Sequence, residues 1–213
     1  MAGANRVIST TLKLDGEAEF KSALTSIKAE LGNLGSALKL VESQYRENAN
    51  SLDALEAKQK ALTDIAGKLG ERLEQLQKAH DAAAKAQKEH ADAAEKAKAA
   101  YEAAKNGLDE LGKRTYENAA EYDKLTQAME KAGGELSAHE TLAQKAADSA
   151  QNYQKAINLT GVELNTLNDE LKTNDQYLGE AKASAGTPAS KSATPARSAK
   201  RRATASLAAT SAG

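Results

Sequence analysis

The stretch Phe20–Tyr45, FKSALTSIKAELGNLGSALKLVESQY, decides the fold. Its large apolar residues are Phe20, Leu24, Ile27, Leu31, Leu34, Leu38, Val41 and Tyr45, separated by alternating steps of four and three. Such steps put all eight on one stripe of an α-helix and define a coiled-coil seam.

With Leu24 at position a and Phe20 at position d, the seven-residue frame extends without correction to Leu178. Leu52, Leu73, Leu164 and Leu171 fall at a, and Leu55, Leu62, Leu69, Leu76 and Leu167 fall at d. None of the 46 a and d positions is charged, although Asp, Glu, Lys and Arg make up 28% of the chain. Chance would do this with a probability on the order of 10⁻⁷, so an apolar seam is the economical reading. Position e is rich in Gly and Ala (Gly35, Gly70, Gly112, Gly133 and Gly161 among them), and g is similarly rich in Ala. Small residues there widen the apolar face and suit three or more closely packed helices. The seam residues named above are therefore the expected contact of a homo-oligomer.

The frame does not choose between one rod, roughly 240 Å long at 1.5 Å per residue, and antiparallel hairpins. Asn48–Ser51 reads as a helix end followed by a new N-cap. Asn106–Gly107 and Gly133–Gly134 read as weaker points, since each Gly costs about 1 kcal/mol against Ala. Half of Ala79–Ala104 is Ala, so this part buries little area and leans on its neighbours.

The ends differ in kind. In Val7–Leu14, Ile8, Thr10, Leu12 and Leu14 alternate with Ser9, Thr11 and Lys13, the period of a β-strand, stopped by the turn pair Asp15–Gly16. A single strand needs a partner, either a copy of itself or another chain's sheet edge. At the other end, Lys191, Arg197, Lys200, Arg201 and Arg202 give the segment after Ala183 a charge of +5, which leaves −6 on residues 1–182 of a chain whose net charge is −1. Its Ala, Ser, Thr and Pro show no periodicity, so a disordered tail is expected, and nucleic acid is a partner only through it. The reading is thus all-α. Residues 1–16 form a strand and turn, 17–182 a long heptad region of coiled-coil helices, and 183–213 a disordered basic tail.

Composition narrows the chemistry. There is no Cys and no Trp, and only one Phe, so disulfides, thiolate metal sites and a bulky core are excluded. No run approaches the roughly 20 apolar residues of a bilayer span, and no apolar leader opens the chain. His80, His90 and His139 lack the spacings of three or four by which one helix presents two metal ligands. Like Asn48, Asn118 and Asn174, they read as polar interruptions of a helical seam. No phosphate loop, nucleophile–base arrangement or carboxylate pair in a pocket is visible, so neither an enzyme nor a cofactor is expected.

The strand, the LDG turn at Leu14–Gly16, ELGNLGSALKLVESQY at Glu30–Tyr45 and NSLDALEAKQKAL at Asn50–Leu62 together resemble the N-terminal part of phage tail tape-measure proteins of siphophages and prophages. The resemblance covers residues 6–182. It implies a helical scaffold assembled in several parallel copies inside the growing tail tube, whose length sets tail length. Implied partners are further copies, tail-tube proteins and tail-assembly chaperones. The implied location is the bacterial cytoplasm during assembly, then the tail lumen. This chain is shorter than that family, and ATPARSAKRRATASLAATSAG at its end departs from the family pattern, which suggests a truncated or frameshifted member. A coiled-coil adaptor, docking through its strand or basic tail, is the competing reading.

Overall fold

A computed structural model describes residues 11–112 and 119–185. They form three helices: α1 (Glu17–Gln44), α2 (Leu52–Gly112) and α3 (Ala119–Ala185). At 1.5 Å per residue α1 is about 40 Å long, α2 about 90 Å and α3 about 100 Å. α2 packs against both α1 and α3.

The chain enters α1 through Asp15–Gly16. Gly16 has φ 71°, a left-handed conformation that a side chain would strain. The Glu17 N–H donates to the Leu14 carbonyl, while the Glu17 carboxylate accepts from the Leu14 N–H. α1 stops at Gln44, and Tyr45–Ser51 reverses the chain. Ser51 opens α2: its hydroxyl accepts from the Ala54 N–H and its carbonyl from the Leu55 N–H, an N-cap that satisfies donors the first turn leaves over.

Both packed pairs are antiparallel. Along α1 and α2 the salt bridges Asp15–Lys85, Glu30–Lys68 and Glu42–Lys58 run in opposite order. Along α2 and α3 the order is Asn174 against Leu55, then Glu163 against Arg72, then His139 against His90. Of the two arrangements the heptads allowed, the hairpin is the one adopted. From Leu55 to His90 is five heptads along α2, and from Asn174 back to His139 is five heptads along α3, so d meets d at both ends of the interval.

Most buried residues lie at d. They include Phe20, Ile27, Leu55, Leu62, Leu69, Leu76, Ala83, Ala146, Thr160, Leu167 and Asn174. Position g supplies Ile65, Ala79, Ala86 and Leu142. One apolar cluster joins Leu62, Ile65, Leu69 and Leu167, with Leu31, Leu34, Leu38, Leu164 and Leu171 packed on it, so all three helices contribute. A second joins Leu14, Phe20, Ala79, Ala83, Ala86, Ala146 and Ala150. There Phe20 meets Tyr153 of α3 edge to face, with centroids 5.9 Å apart and planes at 87°. Past Lys85, where α1 begins, α2 and α3 continue as two helices. Their buried residues there are mostly Ala: Ala94, Ala97, Ala104, Ala132 and Ala138. A fully buried Leu contributes about 1.5–3 kcal/mol and a methyl group far less, so stability is concentrated in the three-helix half.

Some readings of the sequence need correction, and two reach beyond the described residues. No strand occurs among the described residues; Val7–Thr10, half of the expected strand, lies outside them. Leu14 is instead buried on α2 and α3 with Leu12 packed beside it, so these two residues bury their apolar surface without a ladder. Asn106–Gly107 lies inside α2 and Gly133–Gly134 inside α3, and neither interrupts its helix. Gly107 sits under Leu125, where a Cβ would come within 3.1 Å, and Gly133 lies under the Tyr101 ring. Tertiary contact there outweighs the helix propensity of Gly. Of the tail expected over 183–213, residues 183–185 belong to α3, and 186–213 lie outside the described residues.

The α1–α2 ion pairs make this contact acid-sensitive. Lys85 holds the Asp15 carboxyl, and Lys68 the Glu30 carboxyl, below their ordinary values of 3.8 and 4.5; the Ser26 hydroxyl adds to the second. Lys68, bonded first to Glu30 and then to Glu71, is pushed up to about 12. A carboxylate with a lowered folded pKa stabilises above its unfolded value and loses that contribution as pH falls through the folded one. Amide protection in α1, corrected for the intrinsic slowing of exchange in acid, should therefore fall between pH 5 and 3 more than in α2, to a small extent because the pairs are exposed, and less in high salt. An equal loss of protection in both helices would contradict it.

Candidate functional site

The candidate site is the seam itself. Of its expected residues, Phe20, Ile27, Leu55, Leu62, Leu69, Leu76 and Leu167 are buried. Leu24, Leu31, Leu34, Leu38, Val41, Tyr45, Leu52, Leu73, Leu164 and Leu171 are half-buried. The d residues face other helices of the same chain, and the a residues flank them. The sequence reading missed Leu14 and the buried g residues as core members. The Ala enrichment at g was the signal for the latter, because a third helix packs onto α2 on that side.

Three polar layers punctuate the apolar ones. Asn174 is 4% exposed, and its amide donates to the Leu55 carbonyl at 2.9 Å and to the Gln59 side-chain oxygen at 2.8 Å. Both bonds exist only in this register, so the layer disfavours slippage. His90 and His139 bring their Nδ1 atoms to 3.2 Å. Spacing along one helix could not reveal that pair, because its members are neighbours only in the hairpin. Thr160 is fully buried, and its hydroxyl has no hydrogen-bond partner. An unsatisfied buried hydroxyl costs about 1–3 kcal/mol, so Thr160→Val should raise the unfolding free energy by about 1–2 kcal/mol. A urea titration followed by circular dichroism checks this, and a loss of stability would show that the hydroxyl is satisfied.

Among the described residues, shallow, open grooves lie between the helices. One, of about 490 Å³, lies where α1 meets α2 and is lined by Glu30, Leu34, Thr63, Gly67, Lys68 and Glu71, among others. Another, of about 330 Å³, lies beside Leu12, Leu14, Lys21, Asp148 and Tyr153. Burial raises the Tyr153 hydroxyl above its ordinary value, and the nearby Lys21 opposes this. Among the described residues no three His, Cys, Asp or Glu side chains converge. No described helix is long and apolar enough to cross a membrane.

Neither a protein-family model, nor a curated protein, nor a solved structure matches the chain.

Proposed function

We propose that this protein is a structural helical scaffold of the tape-measure kind, without catalytic activity, acting in phage tail assembly in the host cytoplasm and then within the tail. The observation that carries the reading is the heptad frame itself. It holds through two helices of 61 and 67 residues without a slip, a regularity that a rod-forming protein needs and a pocket-forming one does not.

In an assembled rod the half-buried a residues face further copies, tail-tube subunits surround the bundle, and chaperones keep it soluble beforehand. Exchange of helices between copies, with the Tyr45–Ser51 turn opened, converts intrachain layers into interchain ones without loss of burial. Leu159 and Val162, three residues apart on α3 and both more than half exposed, add an apolar contact on the outer side.

Sedimentation of the full chain across micromolar concentrations tests the proposal. The scaffold reading expects oligomers that Leu31→Glu with Leu38→Glu dissolves, and co-sedimentation with tail-tube subunits. A monomer at high micromolar concentration, unaffected by those substitutions, overturns it.

A further inference from the structure

We propose that His90 and His139 form a metal site that staples the two-helix half of the hairpin, binding a first-row divalent ion such as Zn²⁺, Ni²⁺ or Cu²⁺. Their Nδ1 atoms are 3.2 Å apart, with ring centroids at 5.4 Å and planes inclined by 32°. Two imidazole nitrogens at about 2.0–2.1 Å from one ion are about 2.9 Å apart at a right angle and about 3.4 Å apart at the tetrahedral angle. The observed separation lies inside that span, so both rings can serve one ion with little rearrangement. Without metal, the pair shares a single hydrogen bond, with one nitrogen donating and the other accepting.

The surroundings favour this use. Both rings are half-buried. Their buried neighbours within about a turn are Ala86, Ala94, Ala138 and Leu142, three of them alanines. α1 begins beside Lys85 and does not reach the pair, and both rings keep a partly exposed edge among the described residues, where water can take the remaining coordination positions. No third His, Cys, Asp or Glu joins the pair among the described residues, and imidazole alone suits Zn, Cu and Ni rather than Ca or Mg. The site lies where alanines supply little burial, so a cross-link between the helices has the most to add there.

The test titrates the full chain with Zn²⁺, Ni²⁺ and Cu²⁺ chlorides singly. It follows the histidine ring resonances for Zn²⁺, the electron paramagnetic spectrum for Cu²⁺ and the melting temperature for Zn²⁺ and Ni²⁺. The expected result is one ion per chain, two equatorial nitrogens on Cu²⁺, and ring shifts at His90 and His139 but not His80. The melt should rise by about 3 °C or more at saturating Zn²⁺ or Ni²⁺ and be reversed by a chelator. His90→Gln and His139→Gln keep a polar residue that a helix accepts, and each should weaken binding more than about tenfold. His80→Gln should leave it unchanged. No response up to about 1 mM metal, a response that survives both substitutions, or one that depends on His80 overturns the proposal, since the site as proposed needs both rings.

Discussion

Leu62→Ala should lower the unfolding free energy by about 3–5 kcal/mol, the upper part of the range for a buried leucine truncation. Leu62 is fully buried and packs with Ile65, Leu69 and Leu167, while Leu31, Leu34 and Leu38 close the cluster from α1. Three straight helices converge on this side chain, and none of them can collapse inward without disturbing the layers on either side. The cavity therefore stays largely open, and its cost adds to the lost transfer energy. The matching change in the thin half, Ala97→Gly, should cost only about 1 kcal/mol, mostly through helix propensity. Amide exchange reads both, residue by residue. The Leu62 variant should lose protection throughout α1 and the facing parts of α2 and α3. If Leu62→Ala costs less than about 1 kcal/mol, the three-helix half is not the stable core.

How legible this architecture is in the sequence depends on what each signal encodes. The seven-residue frame is visible because burial selects against charge at each d position, and that selection does not depend on where the partner helix comes from. For the same reason the frame is silent about direction. Leu55 would be apolar opposite a second copy's Leu55 or opposite Asn174 of its own chain. Asn48–Ser51 carries a local signal, a serine whose hydroxyl satisfies the first free amides of α2. Gly107 and Gly133 carry the opposite local signal and are overruled by Leu125 and Tyr101 across the hairpin, which no local rule anticipates. Leu12 and Leu14 alternate as strand residues do, and they meet a helical surface that accepts the same two side chains. The histidine pair was hidden for a related reason. Its 49-residue separation has meaning only once the chain turns back on itself.

The strongest test of the frame is to cut it. Deleting Ala91–Ala97 together with Ala132–Ala138 removes one heptad from each arm of the hairpin. It leaves the His90–His139 layer in place and brings the next d residues, Ala104 and Leu125, one layer closer to it. The cooperative melt should persist, and protection should remain on both sides of the junction. Deleting only Glu95–Lys96 should behave very differently. Each residue of an α-helix turns about 100°, so the loss of two rotates the rest of α2 by about 200° relative to its base. Ala97 and Ala104 would then move to position b and Tyr101 and Leu108 to position f, away from α3, while Asn106 would take a d position and Glu110 an a position. Placing the Asn106 amide and the Glu110 carboxylate at seam positions without partners costs more than the few methyl groups of this segment contribute. The tip arms should separate, and amides beyond residue 95 in α2 and before residue 132 in α3 should exchange freely. Isolated helices of that length are marginal in water. The base, held by the Leu62 and Asn174 layers, should remain protected. The smaller deletion is thus expected to do the greater damage, an order that a hairpin held by propensity alone would reverse. Equal protection in the two variants would mean that the alanine layers do not fix the tip.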